Sequence, residues 1–145
     1  MQTFLPYANF IKTAKCLDYK RLGKQRVEAK QIINTIICKK QNDLHIVDKN
    51  GKLRKRGWLN HPCVIMWESH LPALKAYHDI MIKEWIKRGY NNTMSLFNIE
   101  SYRLPNWIGD NDFHISHQSN LLRKDFDYYS KFNWLVDSDL EYIWP

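Results

Sequence analysis

Two long stretches of the chain repeat their apolar residues at helical spacing, and this periodicity constrains the fold more than any other feature. In the first, from Thr13 to about Lys39, residues Leu22, Ala29, Ile33 and Ile36 recur along one face, with Thr13 placed as an N-cap. In the second, Val64, Trp67, Leu71, Leu74, Tyr77, Met81 and Trp85 recur from just after Pro62 to Lys87-Arg88-Gly89, where glycine can close a helix and Pro72 can divide it. A loop-rich connection through Leu104-Pro105-Asn106-Trp107-Ile108-Gly109 leads to a third helical stretch from about Ser116 to Tyr129. Between the first two, Asp48-Lys49-Asn50-Gly51 carries an Asn-Gly turn signal flanked by Leu44-His45-Ile46-Val47 and Lys52-Leu53, which predicts a short exposed β-hairpin. Its basic run Lys52, Arg54, Lys55, Arg56 reads equally as a solvated loop or as an arm that tracks phosphates. The aromatic, acidic tail from Trp134 to Pro145 is expected to pack back over the rest. The chain therefore reads as mainly α: a single compact domain over residues 1–145, with about three principal helices, long loops and one short hairpin.

Of the 145 residues 44% are apolar, including six Trp, eight Tyr and six Phe, enough to bury a real core. Twenty-two Lys and Arg against fifteen Asp and Glu give a net charge of +7, so a polyanion is the first partner to consider. No amphipathic membrane helix, apolar span or leader is evident, and nucleic acid outranks a membrane surface; the protein is expected to be intracellular and cytoplasmic and to act as a monomer. Cys16, Cys38 and Cys63 are far apart and unpaired in pattern, and read as small buried hydrophobes. The phosphate-loop, dinucleotide and nucleophile-elbow motifs are all missing, which removes the main support for nucleotide hydrolysis, dinucleotide redox chemistry and serine hydrolysis.

The stretch Leu17-Asp18-Tyr19-Lys20-Arg21-Leu22-Gly23-Lys24-Gln25-Arg26-Val27-Glu28 crowds four cations onto a helix that ends its basic run on one carboxylate. Arg21, Lys24 and Glu28, three and four residues apart, project from one face. Nearby positive charge keeps a carboxylate ionised, so Glu28 is a candidate for stabilising a developing cation or holding a water, with Arg21, Lys24 and Arg26 on the backbone of a nucleic acid. The bland reading is a solvated Lys24–Glu28 pair at i, i+4, which stabilises a helix by only about 0.2–0.5 kcal/mol. Gly23 inside the helix points to a close approach or a local bend.

Two further clusters have the composition of a phosphate clamp at a helix start. One is Trp58-Leu59-Asn60-His61-Pro62, where the alternative is that Asn60 caps the helix and His61 packs on Trp58. The other is Phe113-His114-Ile115-Ser116-His117-Gln118-Ser119-Asn120-Leu121-Leu122-Arg123-Lys124, which offers His114, His117, Ser119, Arg123 and Lys124. His114 and His117 are spaced as two metal ligands would be, but no third ligand stands at a recognised interval, so no metal is expected.

Taken in order, these segments resemble the pyrimidine dimer DNA glycosylase family over nearly the whole chain. The resemblance rests on Leu17-Asp18 with Glu28 ten residues beyond the Asp, on Gly57-Trp58-Leu59-Asn60-His61-Pro62, and on Lys87-Arg88-Gly89-Tyr90. It implies a mostly helical enzyme acting on duplex DNA that holds a damaged or modified pyrimidine, the cyclobutane dimer first, with no cofactor. It further implies that the N-terminal amine attacks the sugar C1′, that an imine forms, and that β-elimination nicks the strand, with Glu28 stabilising the cationic sugar. An α-amine ordinarily titrates at about 7.7–8.0, which leaves a useful neutral fraction near pH 7. The family's typical first residue is a small Thr exposed by loss of Met; here Gln2 follows Met1, and a bulky second residue retains the initiator, which makes the Met1 amine the nucleophile. Water activated by Glu28, or Lys24 acting as the amine, are the alternatives. The competing functions are a non-catalytic nucleic-acid-binding domain and a hydrolytic nuclease using His61, His114 or His117.

Overall fold

The computed structural model describes all 145 residues. The first apolar stretch folds as two helices. Asn9 caps α1 (Phe10–Cys16) by accepting from the Lys12 N–H at 2.9 Å. Thr13, expected to cap one long helix, lies inside α1 and donates its hydroxyl to Tyr7 O. The chain then extends through Leu17 and Asp18, and Asp18 caps α2 (Tyr19–Lys40). A short carboxylate that satisfies the first free N–H groups of a helix favours a start over continuation. Asp18 does more: it also bonds the Tyr129 hydroxyl and pairs with Arg21 at 3.2 Å, which ties the start of α2 to the far end of the chain.

The hairpin forms as expected. Strands β1 (His45–Val47) and β2 (Leu53–Lys55) are antiparallel with Ile46 opposite Arg54, and Gly51 takes the positive φ of 75° that the turn requires. The second apolar stretch divides before Pro72 into α3 (Pro62–Trp67) and α4 (Leu71–Lys87), and Gly89 ends α4 at φ 91°. The third starts earlier than expected: α5 (Asn111–Lys124) opens five residues before Ser116 because Asp110 caps it. It also stops earlier, since Asp125 leaves the helical region and caps the short α6 (Phe126–Tyr129).

About half of the chain is helical, around one contiguous core of 23 buried residues that includes Trp67, Tyr77, Ile32, Ile33 and Phe113. The mainly α architecture thus agrees with the sequence pattern. Helix α2 packs along α4, and Gly23 permits the approach: a Cβ there would stand 2.9 Å from the Trp85 ring. The tail returns over the core, with Trp134, Val136 and Tyr142 packed against it. No helix is long and apolar enough to cross a membrane.

Candidate active site

The site begins with an unusual feature of the first six residues. They form no regular secondary structure, yet Gln2 to Pro6 are buried. Buried backbone groups need partners, and here side chains supply them. Gln25, fully buried on α2, donates to Gln2 O at 3.0 Å and accepts from the Phe4 N–H at 2.9 Å. The Tyr77 hydroxyl on α4, with one proton to give, lies 2.8 Å from Phe4 O and 2.6 Å from Gln25 Oε1. Trp67 donates to the Thr3 hydroxyl at 3.0 Å, and Gln118 to Pro6 O at 2.8 Å.

Leu5 is held from both sides by α5. Its N–H donates to His117 Nδ1 at 3.0 Å, and its carbonyl accepts from His114 Nδ1 at 2.8 Å, while His114 Nε2 accepts from the Gly109 N–H. These bonds fix opposite tautomers, Nε2–H on His117 and Nδ1–H on His114. Burial, helped by neighbouring His114, pushes His117 down to about 3. The unfolded chain takes up this proton near pH 6.5, so stability is complete above that value and is lost as pH falls toward 3. His114 and His78 are shifted in the same direction, each chiefly by burial. Relative to pH 7, His117 alone is expected to remove about 2–3 kcal/mol of stability by about pH 4.5. Urea unfolding across that range tests this, and His117→Asn, which keeps an acceptor but does not titrate, should flatten the slope.

The threaded segment delivers the chain start to a cleft of about 490 Å³ bordered by Met1, Gln2, Arg21, Lys24, Gln25 and Glu28, with Lys20 and Lys124 at its edge. Glu28 Oε2 accepts from the Gln2 N–H at 3.3 Å and from Gln25 Nε2 at 3.2 Å. The only carboxylate bordering the cleft is therefore oriented by the backbone next to the terminal amine. Near the Met1 amine stands His61, whose ring lies edge-on to Trp58 at 5.3 Å and to Trp144 at 5.9 Å. Burial, and next the positive Met1 amine nearby, hold this imidazole below the ordinary histidine value. Cations for phosphate, a carboxylate and an amine thus meet in one concave site, which equips it for nucleophilic attack at a centre that develops positive charge.

The expected site residues are distributed unevenly. Arg21, Lys24, Glu28, Met1 and Lys124 come together at the cleft. His61 adjoins it, but its Nδ1 caps α3 by accepting from the Cys63 N–H, a role expected of Asn60, which is exposed. Arg26 turns to the opposite side of α2, where it stacks 4.3 Å from the Trp85 ring and donates to Asn92 at 2.8 Å. The α5 cluster is not an open clamp. His114 and His117 are buried on Leu5, Ser119 accepts from the Leu140 N–H, and Arg123 donates to the Ser138 and Leu140 carbonyls. These groups are occupied by the N-terminal segment and by the tail, because both polar faces of α5 are covered. Sequence reasoning missed Gln25, Tyr142 and Trp144. Gln25 had a faint signal, an uncharged amide three residues before Glu28 on the same face; the two tail aromatics had none.

A family model for pyrimidine dimer DNA glycosylase matches residues 1–98. The chain belongs to this family. No curated protein and no solved structure matches it. The matched region contains the threaded N-terminus, α1 to α4, the hairpin and Glu28. Family membership implies a DNA glycosylase directed at pyrimidine dimers. Tyr142, Trp144 and Lys124, which complete the cleft, lie beyond the family match.

Proposed function

We propose that this glycosylase is also an AP lyase that works through an imine on its own N-terminus. The observation that carries the proposal is the Gln2 N–H bonded to Glu28 Oε2, one peptide unit from the Met1 amine, inside a cleft edged by Lys20, Arg21, Lys24 and Lys124. In this scheme the cations hold the phosphates around a damaged pyrimidine in duplex DNA. The neutral Met1 nitrogen bonds to C1′ as the C1′–N bond breaks and the base leaves with the bonding pair. Glu28 faces the positive charge that builds on the sugar and takes the proton that the nitrogen sheds. The sugar ring opens as the C1′–O4′ bond breaks, Glu28 returns the proton to O4′, and a protonated imine remains. Loss of a C2′ proton then expels the 3′ phosphate, which nicks the strand, and water releases the amine. No step needs a cofactor.

The reading predicts nicks at dimer sites in ultraviolet-irradiated duplex, with intact duplex left whole, as resolved on a sequencing gel. Equal binding of both duplexes without loss of base or strand would instead identify a nucleic-acid-binding domain.

A further inference from the structure

All six residues of β1 and β2 are exposed, so neither strand packs on the body of the molecule. Val47 and Leu53 face each other in register at the turn end, and they are 67% and 65% exposed. A free-standing two-stranded ribbon is marginal in water, and an exposed aliphatic pair on it is a liability. Yet this ribbon is held firmly. Asp48 accepts from the Asn50 and Lys52 N–H groups at 2.9 and 3.0 Å and pairs with Arg54 at 2.5 Å, while Arg56 pairs with Asp43 at 2.7 Å. Both acids of the segment are thereby spent on its two arginines, and Lys49, Lys52 and Lys55 have no carboxylate partner.

From these contacts we infer that the hairpin is a DNA-engaging arm, with Leu53 and Val47 as an apolar wedge against base steps and Lys49, Lys52 and Lys55 on flanking phosphates. Phosphates suit unpaired lysines, and aliphatic side chains of this kind enter between base steps where a protein kinks a duplex. The uncompensated positive charge disfavours a second copy of the chain as the occupant. Glu28 and Lys40 are twelve residues apart on α2, about 18 Å along its axis, which is the length of roughly five base pairs of duplex. The inference takes its polyanion from the DNA reading above but needs none of the imine chemistry.

The test is binding to intact duplex, by fluorescence anisotropy across a salt series and by end-to-end energy transfer for bending. Replacing Lys49 and Lys52 by Ala should lower the slope of log affinity against log salt by about two. Val47→Thr with Leu53→Thr keeps β propensity; it should leave that slope unchanged, weaken binding about tenfold, and reduce a bend of about 20–90°. Parental affinity, slope and bend in both variants would overturn the arm. So would a dimer in the parent, seen by sedimentation, that the threonine pair dissociates, since the occupant would then be a second copy. Because intact duplex is used, failure of the glycosylase reading leaves these outcomes legible, and excision by the parent with unchanged binding in the variants sinks the arm alone.

Discussion

A short peptide extension placed before Met1 is expected to reduce base excision and strand nicking on irradiated duplex by on the order of 10³-fold or more, the scale of removing a catalytic group. The extension converts the amine to an amide, whose nitrogen is not nucleophilic. It also cannot swing aside freely, because Gln2 to Leu5 are bonded to Gln25, Trp67, Tyr77, His114 and His117, so the added residues must enter the cleft. The thermal midpoint should stay close to that of the parent, because those bonds all lie on the body side of Met1. Proteolytic removal of the extension directly before Met1 should restore activity. An extended protein that excises dimers at the parental rate would show that the terminal amine is not used.

Replacement of Glu28 by Gln tests the other half of the site. The amide keeps the size of the side chain and can still accept from the Gln2 N–H and Gln25 Nε2, so stability should change by less than about 1 kcal/mol. On the proposed mechanism, what is lost is the negative charge facing the sugar and the ability to take a proton. A positioned acid or base contributes roughly 10²–10⁴-fold, and excision should fall by that amount with little change in affinity for DNA. Because excised sugar and imine would both be affected, single-turnover rates on dimer-containing and on abasic duplex should both drop. A fall in affinity with an unchanged single-turnover rate would assign Glu28 to organising the N-terminus alone.

The helical fold was legible because it rests on local signals: apolar spacing, Asn50-Gly51 in the turn, and Pro72 at the head of α4. Errors arose at caps. Thr13 looked like an N-cap, but Asp18 governs the break, since it gains Tyr129, which lies 111 residues away in sequence. The same logic divides the site. Arg21, Lys24 and Glu28 share a face by helical arithmetic, and the structure keeps them together at the cleft. His114, His117, Ser119 and Arg123 read as a surface clamp because nothing in their own segment announces that Leu5 and the tail will bury them. A threaded N-terminus is a tertiary feature, as it is written in Gln25, Tyr77, Trp67 and two histidines on four different helices, each unremarkable by itself. Tyr142 and Trp144 reach the cleft for the same reason, and no local pattern marks them.

On the proposed mechanism the Met1 amine, placed beside Glu28, bonds to the sugar of the damaged nucleotide. Borohydride reduction during turnover on irradiated duplex, followed by peptide mass mapping of the protein–DNA adduct, tests it most directly. A stable adduct is expected with irradiated and with abasic duplex, none with intact duplex, and the modification is expected on the Met1 nitrogen. An adduct mapped to Lys24, or dimer excision that proceeds with no trappable adduct, would contradict it.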